Sequence, residues 1–189
     1  MAEPLRIPRQ NSRRLRVVDE AARLFSERGY HAASMRDIAA ACGMTVGAIY
    51  SHFESKEALL VAVYDEGVRR ISAHVDAAVA PHGDAWRRLE AAAEAHLDML
   101  LARGPYAQVI GRVLPQDAPS AAARLTALRD GYERRFAQLI QALDLPAGAS
   151  RRHLRLLLLG ALNAAQVWYR PGGEAPADIA RRFMELLKP

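Results

Sequence analysis

The stretch Ser34-Met-Arg-Asp-Ile-Ala-Ala-Ala-Cys-Gly-Met-Thr-Val-Gly-Ala-Ile-Tyr-Ser-His-Phe53 decides how this chain is read. Ser34 followed by Asp37 has the form of a helix N-cap with an acidic residue at the third helical position. Ile38 and Cys42, four apart, fall on one apolar face. Ala39 is small where a second helix must cross closely. Gly43 supplies the left-handed conformation of a tight turn between helices. Met44 anchors that turn, Thr45 can cap the next helix, and Ile49 and Phe53 point back to the core. The spacing is that of a helix-turn-helix.

A second helix opened by Thr45 would present Thr45, Val46, Gly47, Ala48, Tyr50 and His52 outward. Recognition helices place their N-terminal residues against base edges in the major groove. Thr45 can hydrogen-bond a base or phosphate, while Val46 and Ala48 can touch thymine methyls. Gly47 removes bulk where backbone approaches DNA, and Tyr50 and His52 suit phosphates. Lys56 follows a second cap, Ser55, so a cation and a helix N-terminus can share one phosphate. Arg36 is placed for the flanking backbone.

Charge agrees with this surface. The 189 residues carry 26 Lys+Arg against 21 Asp+Glu, and only Lys56 and Lys188 are lysine. Residues 1–16 hold five arginines (Arg6, Arg9, Arg13, Arg14, Arg16) against Glu3, which accounts for most of the net +5. Such an arm can follow phosphates or enter a minor groove. Hydrophobic residues make up 51%, enough for a packed core rather than extended disorder. The lone Cys42 rules out an internal disulfide framework and a multi-Cys zinc site. The first 16 residues lack the apolar segment of a signal peptide, and the most apolar run, Leu156 to Leu162, is too short to span a bilayer. The expectation is a soluble cytoplasmic protein without metal or cofactor.

Beyond the turn, the periodicity is helical throughout and predicts an all-α chain of about nine helices. They run from about Asn11 to Arg28 (Leu15, Val18, Ala22 and Phe25 inward), then two short helices over 34–53, then Ser55–Ala80, Asp84–Arg103, Tyr106–Leu114, Ser120–Leu143, Ala149–Arg170 and Ala177–Leu187. Prolines and glycines punctuate them. Residues 1–54 read as an arm and DNA-binding module, and 55–189 as a helical body for effector binding and dimerisation.

The stretch 149–170 is apolar on two faces, Leu157, Leu158, Ala161, Leu162 and Ala165 on one and Leu156, Leu159, Gly160 and Val167 on the other. A helix of that kind must be covered twice. With Ile179, Phe183, Leu186 and Leu187 on the last helix, an isologous four-helix contact with a second copy meets the need. Polar groups beside apolar stripes, His74, His96, Tyr106, Tyr132, Asn163 and Gln166, are candidate anchors for a small ligand, and Trp168 is grouped with them. No Gly-rich phosphate loop, HExxH, nucleophile elbow or Glu-x-x-His pair occurs, and Glu94 and Asp98 read as surface charge, so an enzyme is not expected. The alternatives are an all-helical enzyme, or a helical interaction module, acting on a hydrophobic small molecule without DNA.

Ala21-Ala-Arg-Leu-Phe-Ser-Glu-Arg-Gly-Tyr30, Ser34-Met-Arg-Asp-Ile-Ala39, Gly43-Met-Thr-Val-Gly-Ala-Ile-Tyr-Ser-His-Phe53 and Ser55-Lys-Glu-Ala-Leu59 together resemble the TetR family of bacterial transcriptional regulators. The resemblance covers about Val17 to Leu60. It implies a homodimeric helical repressor that leaves its operator when a small molecule enters the C-terminal body. The family's DNA-contacting positions fall on Ser34, Arg36, Thr45, Val46, Gly47, Tyr50, His52 and Lys56. Val46 and Gly47 stand where some members have a long polar side chain. Trp168-Tyr-Arg-Pro-Gly-Gly173 before Pro176-Ala-Asp-Ile-Ala180 resembles a subset that senses acyl-CoA thioesters, for which Arg151, Arg152 and Arg155 would form a basic rim.

Overall fold

Apolar residues at helical spacing, interrupted by Gly29, Gly43 and a series of prolines, give α-helices joined by short turns. The computed structural model describes residues 9–188. Among them lie nine α-helices, one 3-10 turn and no strand: α1 (Arg9–Arg28), α2 (Met35–Cys42), α3 (Val46–Tyr50), α4 (Lys56–Val79), α5 (Ala85–Leu101), α6 (Pro105–Arg112), α7 (Ala122–Gln141), α8 (Arg151–Trp168) and α9 (Pro176–Leu187), with the turn at Pro115–Asp117. Among the described residues no helix is long and apolar enough to cross a membrane.

Side-chain caps set most of the starts. Ser55, Asp84 and Ser150 each accept from the backbone N–H three residues on, and Pro105 and Pro176 occupy first helical positions, where their missing N–H costs nothing. The long N-terminal arm is shortened by the structure. Because α1 begins at Arg9, the arginines Arg13, Arg14 and Arg16 ride on a helix rather than on an extended segment. Glu3 and Arg6 lie outside the described residues.

Two apolar clusters share α4. One joins α1, α2 and α3 to the first half of α4 and to Val109, Val113 and Leu125. The other joins Val75 and Val79 to α5, α8, α9 and the later part of α7. Val68 packs against both, so α4 is a continuous rod, about 36 Å long at 1.5 Å per residue, between the N-terminal module and the body. A tilt at one end of such a rod is felt at the other.

One inward assignment changes, and one grouping of faces. Leu15 is exposed, and α1 instead buries Val17, Val18, Ala21, Ala22, Leu24 and Phe25. That stripe is wide because α2 and α4 cover α1 on one side and α6 on the other. On α8, Leu159 is buried and Leu157 is 61% exposed, so each parts from the face with which it was grouped. The inward set is Leu158, Leu159, Leu162 and Ala165, fixed by the packing of α8 on α5 and α7.

Candidate nucleic-acid interface and internal cavity

The turn at Gly43 is built as its residues dictate. Ser34 Oγ accepts from the Asp37 N–H at 3.2 Å, and Asp37 Oδ2 accepts from the Ser34 N–H at 2.9 Å, closing a capping box. The Ser34 hydroxyl and backbone hold the Asp37 carboxyl below its ordinary range. Gly43 has φ 63°, where a side chain is strained, and the next N–H, of Met44, reaches back to Ala39 O at 2.9 Å. Thr45 Oγ1 then accepts from the Ala48 N–H at 3.2 Å. Ile38, Ala39, Cys42, Ile49 and Phe53 are all buried, so the relative setting of α2 and α3 is locked from beneath.

What remains outward is Thr45, Gly47 and Tyr50, the last 49% exposed, with Ser34 and Arg36 on the adjoining helix. Val46, Ala48 and His52 are only half-exposed, and Val46 packs against the N-terminal core. The second helix is short, five residues, so His52 follows it rather than extending its face. Lys56 sits at the start of α4, with its ammonium 4.5 Å from the Tyr30 ring centroid and donating to His31 O at 3.1 Å. Burial lowers its pKa. The Tyr30 hydroxyl reaches Glu57 at 3.2 Å, so Lys56 is held in place by its neighbours. Arg14 stacks over Phe53 at 4.7 Å and carries the positive charge of α1 to the edge of the same surface.

A cavity of about 270 Å³ lies between α4, α5, α6, α7 and α8. His96, Tyr106, Tyr132, Asn163 and Gln166 come together on its wall, with Leu100, Ile71, Ile110 and Leu159 supplying apolar surface. His96 is buried. Its Nδ1 is 2.7 Å from Tyr132 Oη and its Nε2 3.2 Å from Asn163 Oδ1. Since Asn163 Oδ1 can only accept, Nε2 carries the proton and Nδ1 accepts from the tyrosine hydroxyl, which makes a neutral imidazole with both nitrogens satisfied. Burial pushes the His96 pKa down to about 4 and that of Tyr132 above its ordinary range. Phe136 closes the aromatic group, edge-on to both rings at 5.8 Å.

Two of the ligand candidates are elsewhere. His74 is exposed on α4, one position off the buried Val75. Trp168 is 47% exposed and packs edge-on to Phe183 of α9. Of the supposed basic rim, Arg155 is paired to Glu133 and Arg151 donates to Leu143 O at 2.9 Å, while Arg152 is exposed. Glu94 and Asp98 sit outside the cavity, Glu94 4.0 Å from Arg181. Among the described residues no three His, Cys, Asp or Glu are grouped to hold a metal.

Sequence reasoning missed several lining residues, among them Tyr64, Gly67, Gly111 and Arg129. Tyr64 reads in sequence as one more apolar position of α4, and its hydroxyl is the signal that could have singled it out. The glycines permit close packing. A Cβ on Gly67 would meet Ile110 Cδ1 at 2.7 Å, and one on Gly111 the Gln166 side chain at 2.5 Å, so α6 can nest between α4 and α8.

A capped helix-turn-helix carried on a helical body with an internal cavity places the protein among helix-turn-helix regulators. Residues 17–63 match the family described as bacterial regulatory proteins, tetR family, and residues 82–188 match the tetracyclin repressor-like C-terminal domain. The chain belongs to the TetR family. It is 38% identical to the HTH-type transcriptional activator FasR of Mycolicibacterium smegmatis (strain ATCC 700084 / mc(2)155) over 95 residues, 50% of this chain and 43% of FasR. The chain spans less than half the length of the curated relatives it matches. Superantigen PfiT has the same fold with a TM-score of 0.83 at 25% identity, covering 95% of this chain and 97% of PfiT. AibR, solved with isovaleryl coenzyme A and operator DNA, gives 0.77 at 24% identity, over 92% and 97%.

Proposed function

We propose that this protein is a sequence-specific DNA-binding repressor, acting in the cytoplasm as a homodimer and released from its operator by a small hydrophobic effector. The observation that carries the reading is the exposed edge of Thr45, Gly47 and Tyr50 on a turn whose other side is wholly buried. Residues 1–54 make the DNA-binding module and 55–189 the effector and dimerisation body. The DNA contacts are Ser34, Arg36, Thr45, Val46, Gly47, Ala48, Tyr50, His52 and Lys56. Phosphates supply most of the affinity through Arg36, Lys56 and Tyr50. Val46, half-covered by the core, contributes through its exposed edge alone.

Dimerisation runs through α8 and α9. Leu156, Leu157 and Val167 of α8 and Leu186 of α9 are exposed, the last two by 80% and 83%, which is unusual for aliphatic side chains left in water. A second copy laid against them isologously covers both sets and fixes the spacing of the two recognition helices at about one turn of DNA, roughly 34–36 Å. A ligand in the cavity, which touches the middle of α4 from Tyr64 to Ile71, favours another spacing and shifts the population away from DNA. An acyl-CoA is the first class to test, because AibR was solved with one.

Selection from a random 30-base-pair duplex library followed by gel shift tests the reading. The expected result is one enriched, two-fold symmetric site whose binding weakens with salt and falls about tenfold or more in Tyr50→Ala. No enrichment, or a shift indifferent to that substitution, would count against it.

A further inference from the structure

Most polar groups around the cavity already have partners, and the exceptions indicate a ligand. His96, Tyr132 and Asn163 satisfy one another, and Tyr106 donates to Asp19 at 2.7 Å. Glu133, the carboxylate on the same wall, is paired with Arg155. Tyr64 is different: the residue is only 5% exposed, it lines the cavity, and among the described residues nothing hydrogen-bonds to its hydroxyl. Arg129, near enough to act electrostatically on that hydroxyl, lines the same wall and is half-exposed. Its ion-pair contact among the described residues is a long one, 3.9 Å to the adjacent Asp130. A hydroxyl that lines a cavity and has no acceptor in the protein is free to donate to a ligand there.

We infer that the cavity takes a short acyl group, with Tyr64 Oη and the Arg129 guanidinium donating to its carboxylate or thioester carbonyl and the hydrocarbon lying against Val68, Ile71, Met99 and Ile110. This rests on the reading of the cavity as an effector site and adds its chemistry and size. The Tyr64 hydroxyl has no acceptor among the described residues, Arg129 has only its long contact to Asp130, and Glu133 on the same wall is paired with Arg155, so the free capacity here is for an acceptor rather than a cation. The 270 Å³ sits below the roughly 300–1,000 Å³ of drug-sized sites. A cavity of that size suits a carboxyl or thioester group on a short hydrocarbon better than one on a long fatty chain. Arg129, half in solvent, places the head at the mouth, so a free acid and a thioester whose carrier extends outward present the same acceptor.

Calorimetric titration of the full chain with hexanoate, hexanoyl-CoA, dodecanoyl-CoA and hexanol separates the possibilities. At least one hexanoyl probe should bind at least about tenfold tighter than dodecanoyl-CoA and hexanol. Binding of hexanoate identifies the free acid as the source, and binding of hexanoyl-CoA alone identifies the thioester. Tyr64→Phe should lower affinity for the binding probe roughly tenfold, the worth of one hydrogen bond to a charged or strongly polarised acceptor. That variant deletes a hydroxyl with no protein partner, so the fold survives it. Arg129→Ala, at a half-exposed position, provides a second variant and should give a similar loss. Equal or tighter binding of dodecanoyl-CoA, binding of hexanol as tight as hexanoyl, unchanged affinity in both variants, or no binding by any probe overturns the inference. Since titration needs no DNA, each of these results leaves the operator selection free to uphold or reject the regulator reading by itself.

Discussion

The hydroxyl of Tyr106 on α6 donates to Asp19 Oδ1 on α1 across 2.7 Å, and the same oxygen accepts from Arg70 Nη2 of α4 at 2.9 Å. Arg70 also lies over the Tyr106 ring at 4.3 Å and donates from Nε to Glu66 at 2.6 Å. Hydrogen bonds from Arg69 and Arg70 outweigh burial and hold the Glu66 carboxyl at about 2. Tyr106 and Arg70 both line the cavity, whereas Asp19 belongs to the N-terminal module. One oxygen therefore ties the effector site to the helix that supports the turn.

If this tie holds the DNA-competent arrangement, its removal shifts the population before any ligand arrives. Tyr106→Phe deletes one hydrogen bond, worth about 1 kcal/mol, and should weaken operator binding by about fivefold. Fluorescence anisotropy on the selected site measures it. Affinity equal to that of the unmodified protein would show that Asp19 and Tyr106 are merely neighbours.

Gly43 offers a local test of the turn. At φ 63° a side chain costs about 1–2 kcal/mol, and Asn tolerates that region best among non-glycine residues. No atom lies within 4 Å of a Cβ built there, so the penalty is conformational rather than steric. Urea denaturation should rank the unmodified protein above Gly43→Asn and both above Gly43→Val. Equal midpoints would mean that the turn relaxes without cost.

What could be read from sequence follows how local the physics is. Ser34, Asp37, Gly43, Thr45 and Ser55 act within three or four residues of themselves, and every cap or turn expected of them is present. Helix ends were legible to within about two residues for the same reason. Facing was not. Leu156 to Leu159 is four leucines in a row, with no polar residue to phase the helix, and only contact with α5 and α7 turns Leu159 in and Leu157 out. His74 and His96 look alike in sequence, each beside an apolar stripe, yet α5 is packed against α4, α6, α7, α8 and α9 and buries His96, while His74 lies on an exposed face of α4. Tyr64 shows the limit most plainly: an unsatisfied hydroxyl is defined by what fails to surround it, and that exists only in three dimensions.

The exposed stripe on α8 and α9 carries a prediction about assembly. Val167→Glu and Leu186→Glu place charges on side chains already 80% and 83% exposed in a single copy, so the isolated fold should lose little. In a closed isologous interface each substitution acts twice. Light scattering on the double variant should report a monomer where the unmodified protein is a dimer, with operator affinity reduced by at least about tenfold. A dimer that persists would move the interface away from these two helices.

His96 gives the last prediction its sign. Burial dominates and holds the folded imidazole neutral down to about pH 4, with the Asn163 hydrogen bond opposing in part. In the unfolded chain it titrates near 6.5. Above about pH 6.5 both states are neutral and His96 adds no pH dependence. As pH falls from there towards 4, the unfolded chain takes up a proton that the folded chain refuses, so stability declines by about 1 kcal/mol per pH unit and levels off below 4. His96→Gln keeps a donor and an acceptor but does not titrate. Denaturation at pH 7, 6, 5 and 4.5 should show the gap in stability between the two proteins changing in favour of the variant on acidification. A gap independent of pH would mean that the folded protein protonates His96 as readily as the unfolded chain does.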